Sequence, residues 1–169
     1  MEQKIETKLT FKDKLSNLYN VHKFKIIILL LTFIIVMITS IFIQQKNEKN
    51  NNLIAEKYIQ AGLNLSLNKK DEAKKLFDEI ILSKNKFYSI LALNSIIEKK
   101  IIDNDVQILK YFDVLENINF DDEASDLIIF KKALYLLKKS KSVEGKKLLE
   151  NLIKKESRFK LLAEEVIAN

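Results

Sequence analysis

The sequence is dominated by one charge-free stretch near its amino terminus, from Ile26 to Gln45. Lysines stand before it, and Lys46 and Glu48 follow it. An α-helix rises 1.5 Å per residue, so about 20 apolar residues match the roughly 30 Å hydrocarbon thickness of a bilayer. We therefore expect a transmembrane helix over residues 24–45.

A buried core helix and a cleaved signal peptide both fit this stretch less well. A core helix rarely lacks a polar position over such a length, and the hydroxyls of Thr32, Thr39 and Ser40 can bond back to the helix backbone. A cleaved signal peptide ends in a small-x-small site. The exit from this stretch has no Ala-x-Ala pattern, since it reads Ile41-Phe42-Ile43-Gln44-Gln45. The sequence predicts an uncleaved anchor.

Basic residues near the two ends of the span predict its orientation. Six lysines precede the charge-free stretch, whereas Lys46, Lys49 and Lys57 follow it. Cytoplasmic flanks carry the excess of Lys and Arg. We expect a cytoplasmic tail over residues 1–23 and a domain outside the cytoplasm over residues 46–169.

Composition indicates an all-α protein. The chain has no proline and two glycines, so the residues that punctuate strands and hairpins are nearly absent. It has no cysteine, which excludes disulfides and thiol catalysis. Its 29 basic and 23 acidic residues are interspersed, which argues against a nucleic-acid surface. His22 is the single histidine, so we expect no enzyme activity, metal, cofactor or small-molecule substrate.

The part after the span divides into short amphipathic helices. The polar run from Gln44 to Asn52 is either a linker or a helical continuation of the span, and the lack of Pro and Gly favours continuation. Apolar positions then predict helices ending near Leu67 and Ser83, with further helices beyond them. Predicted N-caps for the later helices are Asp103 or Asp105, Ser142 and Ser157. The acids Asp121, Asp122 and Glu123 predict a further helix start, because the helix dipole favours negative charge there.

Small residues recur at a spacing that predicts helical hairpins. Ala61 precedes Ala73 by twelve residues, and Ala133 precedes Gly145 by the same distance. A hairpin needs small side chains where its two helices cross closely. A degenerate middle copy pairs Ala92 with Val106. The distances between corresponding positions in the three copies lie on either side of the roughly 34-residue tetratricopeptide unit. The fold class predicted is a transmembrane helix followed by a tetratricopeptide-like α-solenoid of about three degenerate repeats and a C-terminal helix.

Three segments resemble a known family. Ala55–Gly62, Asp71–Phe77 and Tyr88–Leu93 look like the periplasmic tetratricopeptide-like domain of the ancillary Sec translocon subunit family. Arg158–Glu165 is similar to the C-terminal helix of its alphaproteobacterial branch. The resemblance implies a single-pass protein of the bacterial inner membrane that contacts the Sec translocon, periplasmic chaperones or translocating chains. It implies no enzyme activity.

Stacked hairpins form a concave surface lined by the first helix of each pair, which suits peptides. On that surface we predict contact residues, each apolar one having core packing as its alternative: Tyr58, Leu65, Ser89, Leu93, Ile96 and Phe130. The alternative function is a scaffold or regulator of another cell-envelope complex, acting through the amino-terminal tail.

Overall fold

The structure is a computed structural model that describes residues 11–139 and 141–168, with side chains from His22 onward. Within these residues every regular element is a helix, as the composition predicts. The seven helices are α1 (Phe11–Ser66), α2 (Lys70–Leu82), α3 (Tyr88–Glu98), α4 (Asp105–Glu116), α5 (Asp122–Lys138), α6 (Ser142–Lys154) and α7 (Lys160–Ala168).

Helix α1 contains the charge-free stretch, and it is long and apolar enough to cross a membrane. Large apolar side chains from Ile27 to Ile43 are exposed, as a lipid-facing helix requires. Thr32 Oγ1 donates to the Ile28 carbonyl at 3.1 Å, and Thr39 Oγ1 donates to the Ile35 carbonyl at 2.9 Å. These bonds satisfy both hydroxyls inside the helix, as expected.

The polar run after the span is helical as well, which confirms the predicted continuation and excludes an irregular linker there. The chain divides into two compact units at the boundary between Lys49 and Asn50. Side chains of residues 1–21, which make up nearly all of the predicted cytoplasmic tail, lie outside the described ones.

The second unit holds two hydrophobic clusters. The larger one joins the carboxyl-terminal part of α1 with α2, α3, α4 and α5, and Phe77, Ile96 and Phe112 are almost fully buried in it. The smaller one joins α5, α6 and α7 around Leu149 and Leu152. Each helix from α2 onward packs on the next one along the chain, and α2 also packs on α4.

The small residues of the two outer hairpin copies are buried, and Gly145 lies at a close crossing. Ala61, Ala73 and Ala133 are fully buried. A Cβ added to Gly145 would lie 2.9 Å from the Ala133 carbonyl oxygen and 2.9 Å from Leu137 Cγ.

The middle copy of the hairpin pattern is different, because Val106 is 65% exposed. The prediction that Val106 lies at a close crossing is therefore wrong. The α3–α4 connection, residues 99–104, lets α4 begin with Val106 facing outward.

Two predicted caps need correction. Asn104, rather than Asp103 or Asp105, caps α4, and its side chain accepts from the Gln107 amide at 3.0 Å. Ser142 is the first residue of α6 and makes no cap, because Lys141 occupies the cap position without a side-chain bond.

Side chains at two other helix starts accept backbone hydrogen bonds. Asp121 caps α5, accepting from the Ala124 amide at 2.8 Å, and Asp122 and Glu123 lie in the first turn, so acids occupy this helix start as predicted. Ahead of α7, Ser157 Oγ accepts from the Phe159 amide at 3.2 Å. A side-chain oxygen thus satisfies one of the otherwise unpaired amides at each of these starts.

Several helices end without glycine. Asn68, Lys84, Lys100 and Glu156 have φ between 47° and 57°, in the left-handed region. After three of these four residues the next backbone N–H reaches back five residues, as when Ile101 donates to the Ile96 carbonyl at 3.0 Å. Such bonds satisfy the last carbonyls of a helix. Short turns are thus built without the glycines that usually mark them.

Candidate functional site

A surface cavity of about 490 Å³ lies between the carboxyl-terminal part of α1 and helices α2 and α3. We call it the Tyr58 cavity. Its lining consists of apolar and hydroxyl side chains with two lysines: Tyr58, Gly62, Leu65, Ser66, Lys70, Phe77, Ser95 and Lys99. Small-molecule and peptide sites are commonly concave and mostly apolar, with few polar groups.

Tyr58 is held in place from three sides. Its ring contacts Phe77 edge-on, with centroids 5.8 Å apart, and lies 5.8 Å from the ring of Tyr88. Its hydroxyl shares a hydrogen bond of 3.1 Å with Ser95 Oγ. The aromatic wall of the cavity is therefore preorganised by contacts with both α2 and α3.

Gly62 leaves the α1 backbone open within the cavity lining. A Cβ added there would meet no atom within 4 Å, so no neighbour in the second unit requires glycine. One turn later, Ser66 Oγ donates to the Gly62 carbonyl at 2.9 Å. Glycine inside a helix costs about 0.5–1 kcal/mol relative to alanine. The packing of the free chain therefore gives no reason for glycine at this position.

The structure brings together two of the six predicted contact residues. Tyr58 and Leu65 are half-buried and line the Tyr58 cavity. Ser89, Leu93 and Ile96 lie in the core, where Ser89 Oγ donates to the Ile80 carbonyl at 2.9 Å.

Phe130 is half-buried in the smaller cluster and stacks on Phe159, with centroids 5.5 Å apart. For Ser89, Leu93, Ile96 and Phe130, packing accounts for the position, and a binding role for any of the six residues stays a prediction.

Sequence reasoning missed the lysines and small residues of the cavity. Lys70 and Lys99 are exposed and have no carboxylate within ion-pair distance among the described residues. Both occur in lysine pairs at helix ends, which resemble ordinary solvated charges in a sequence. Gly62 could have been recognised from the sequence. An isolated glycine inside a helical pattern lowers helix stability, so its presence indicates a packing or functional role.

A second cavity, of about 500 Å³, lies between the end of α3 and the end of α5. Its wall includes Tyr135, whose hydroxyl donates to Asp105 Oδ1 at 2.5 Å. Lys139 Nζ is 2.8 Å from the same carboxyl oxygen. The hydrogen bond from Lys139, followed by that from Tyr135, holds the pKa of Asp105 below its usual value. Burial and then the bond to Asp105 raise the pKa of Tyr135.

These groups form a neutralised cluster rather than a reactive one. The Asp105 carboxylate is engaged by a cation and a phenol, and Lys139 also lies 5.8 Å from the centroid of the Tyr135 ring.

Asp126 is buried and pairs with Lys155 at 2.5 Å, at an angle outside hydrogen-bond geometry. No group of three or more His, Cys, Asp or Glu suited to a metal ion occurs among the described residues.

The Tyr58 cavity is therefore the feature best suited to binding: it is concave, apolar at its floor and basic at its rim. Comparisons with protein-family models, with curated proteins and with solved structures found no match.

Proposed function

We propose that this chain is a membrane-anchored protein–protein interaction module whose helical domain binds a segment of another protein in the Tyr58 cavity. The observation that carries the proposal is the cavity itself: preorganised aromatic walls, an open backbone at Gly62 and two lysines. Anchoring raises the local concentration of such a module at the membrane, so weak binding suffices.

The proposed architecture is a tetratricopeptide-like solenoid. Alternate helices contact each other in series, since Tyr58 of α1 bonds Ser95 of α3 and Lys131 of α5 donates to Asn94 of α3 at 3.0 Å. Successive helices also pack pairwise, with Gly145 at a close crossing. Helix pairs stacked in this manner present their first helices on one face.

The proposed setting is the bacterial inner membrane, with the tail in the cytoplasm and the second unit in the periplasm. Lysines before the span support this orientation. In this setting the partners are the Sec translocon, translocating chains or periplasmic chaperones, as the family resemblance implies, and the protein is an accessory factor without catalytic activity.

Site-specific photocrosslinking in cells tests the proposal. A crosslinker at the cavity-rim residue Ser66 should capture a Sec subunit or a periplasmic chaperone, whereas one at exposed Lys147 on α6 should not. Equal capture from both positions, or capture of neither class of partner from Ser66, would refute the translocon assignment. Deleting residues 2–20 distinguishes this proposal from the alternative of a scaffold or regulator that acts through the tail. Under that alternative, the deletion would abolish recruitment of the partner.

A reporter fused after Asn169 tests the orientation. Alkaline phosphatase, which is active only in the periplasm, should be active in this fusion, and a cytoplasmic reporter at the same place should be silent. The reverse pattern would place the second unit in the cytoplasm and exclude periplasmic partners.

A further inference from the structure

The charge around the Tyr58 cavity defines the partner more closely than its apolar floor does. Residues 50–169 carry 21 Lys and Arg against 19 Asp and Glu, so the unit is nearly balanced. The cavity lining departs from that balance, with Lys70 and Lys99 and no carboxylate. Because interface potentials are complementary, such a rim favours a partner that carries negative charge.

The floor of the cavity requires an apolar group as well. Tyr58 and Leu65 are half-buried and contribute apolar surface, and Phe77 closes the base. A large apolar side chain from the partner would displace water from this surface, at about 25 cal/mol per Å² of apolar area. A free anion or a nucleic-acid backbone would leave the floor unoccupied, so the combination favours a protein segment.

Gly62 bears on the secondary structure of the partner segment. Gly62 and Ser66 are one turn apart on α1 and both line the cavity. Small residues one turn apart leave a shallow channel in a helix surface, where another helix can approach more closely than the usual axis separation of about 8–10 Å. Nothing within the second unit fills the space beside Gly62.

We infer that the Tyr58 cavity binds an acidic amphipathic helix of a partner protein. The helix crosses α1 at Gly62 and Ser66, packs one large apolar side chain against Tyr58 and Leu65, and places carboxylates against the two rim lysines. This inference rests on the proposed function, since it names the chemistry of the partner at the same site.

A designed peptide tests the inference with the full chain in phosphatidylcholine nanodiscs. The probe is a fluorescein-labelled helix of about five turns, made of Glu and Ala with a Leu and Phe stripe at i, i+4 spacing. Its controls are the same peptide with Gln for Glu, with Lys for Glu, and with the stripe scrambled. Fluorescence anisotropy should show binding of the acidic amphipathic peptide alone, weakening as salt shortens the Debye length from roughly 10 Å at 0.1 M.

Two variants locate that binding. Combining Lys70→Glu with Lys99→Glu should weaken it roughly tenfold or more, which corresponds to about 1.4 kcal/mol. The matched control, Lys146→Glu with Lys147→Glu on the exposed face of α6, should leave it unchanged. Gly62→Leu should abolish binding while the melting temperature stays equal or rises, because Gly62 is exposed and a Cβ there meets no atom within 4 Å.

Several outcomes would overturn the inference. These are no binding of the acidic peptide, equal binding of the Gln or scrambled peptide, and equal losses in the cavity and control variants. Another is peptide-independent binding to phosphatidylglycerol vesicles that the cavity variant removes, since the lysines would then face lipid.

The crosslink at Ser66 separates the two proposals. If natural partners are still captured in the Lys70→Glu, Lys99→Glu variant, the interaction module stands and the acidic helix is wrong. If the wild-type chain captures neither Sec subunits nor chaperones, the proposed function fails by itself.

Discussion

At the scale of single residues, the two glycines of this chain act in opposite ways. Gly145→Ala should destabilise the protein by about 1–3 kcal/mol, because the new Cβ would press on a backbone carbonyl and on Leu137. Gly62→Ala should stabilise it by about 0.5–1 kcal/mol, because the helix gains propensity and the methyl group meets nothing. Urea unfolding followed by far-ultraviolet circular dichroism measures both changes.

Each glycine variant is the control for the other, since the substitution and the helical context are the same. Shifts of the same sign in both variants would contradict the prediction. The requirement at Gly145 was predictable from its spacing to Ala133, because close helix crossings need small residues. The empty space beside Gly62 was not predictable. A repeating pattern shows which face of a helix is apolar, but it does not show whether a neighbouring helix contacts a given position on that face.

Asp105 makes stability depend on acid pH. Its pKa is lowered in the folded state by Lys139 and then by Tyr135, so its stabilising effect is present above about pH 4. That effect is lost as the pH falls through the lowered pKa, because the unfolded chain binds a proton first. Asp105→Asn should therefore lower stability at pH 7 and flatten its decline below about pH 4.

Urea midpoints measured from neutral pH down to about pH 2 follow that decline. The comparison is Glu150→Gln, which removes an exposed carboxyl on α6. An Asp105→Asn profile parallel to that of the wild type would show that the carboxylate contributes no pH-dependent stability.

At the scale of helices, Asn104 and Ser142 both stand at helix starts and both have cap-competent side chains, but only Asn104 makes a cap hydrogen bond. Asn104→Ala should cost about 0.5–2 kcal/mol, because the Gln107 amide loses its acceptor. Ser142→Ala should change stability by less than about 0.5 kcal/mol, since Ser142 lies inside α6 and caps nothing. Chemical unfolding of the two variants gives the difference, and a larger loss for Ser142→Ala would show that the Ser142 side chain caps α6.

Helix existence was predictable from periodicity, whereas several helix ends were not. Ahead of α4, Asp103, Asn104 and Asp105 are all competent caps, so side-chain chemistry alone cannot choose among them. Lys84 and Lys100 adopt the left-handed backbone conformation just after a helix, and no glycine in the sequence indicates these two positions. Only the backbone geometry around each turn shows which residue takes that conformation.

The candidate site was predictable only where a helix has one free side. Tyr58 and Leu65 lie on α1 and keep part of their surface open. Ser89, Leu93 and Ile96 belong to α3, which packs on both α2 and α4 and also bonds α1 and α5. A helix surrounded in this way buries residues on more than one side, which a single amphipathic period does not reveal.

At the scale of the whole molecule, the candidate membrane span and the helical domain should be separable. Residues 50–169 include both hydrophobic clusters, so a chain that begins at Asn50 should fold and remain soluble without detergent. The full chain should require detergent or lipid, because the apolar side chains from Ile27 to Ile43 are exposed. Circular dichroism and size-exclusion chromatography of the two chains check this, and an aggregated or unfolded fragment would contradict it.

Helix α5 takes part in both hydrophobic clusters, because Ile128 and Tyr135 belong to the larger one and Ala133 to the smaller. The smaller cluster has fewer buried side chains, so α6 and α7 should open together as one subglobal unit while the remaining helices stay folded. Their amide protons should then exchange with deuterium well before those of α5, which needs both clusters to break. Opening this end of the chain would expose the α6-facing side of α5 without disturbing the Tyr58 cavity, so binding and local unfolding are energetically separate in this domain.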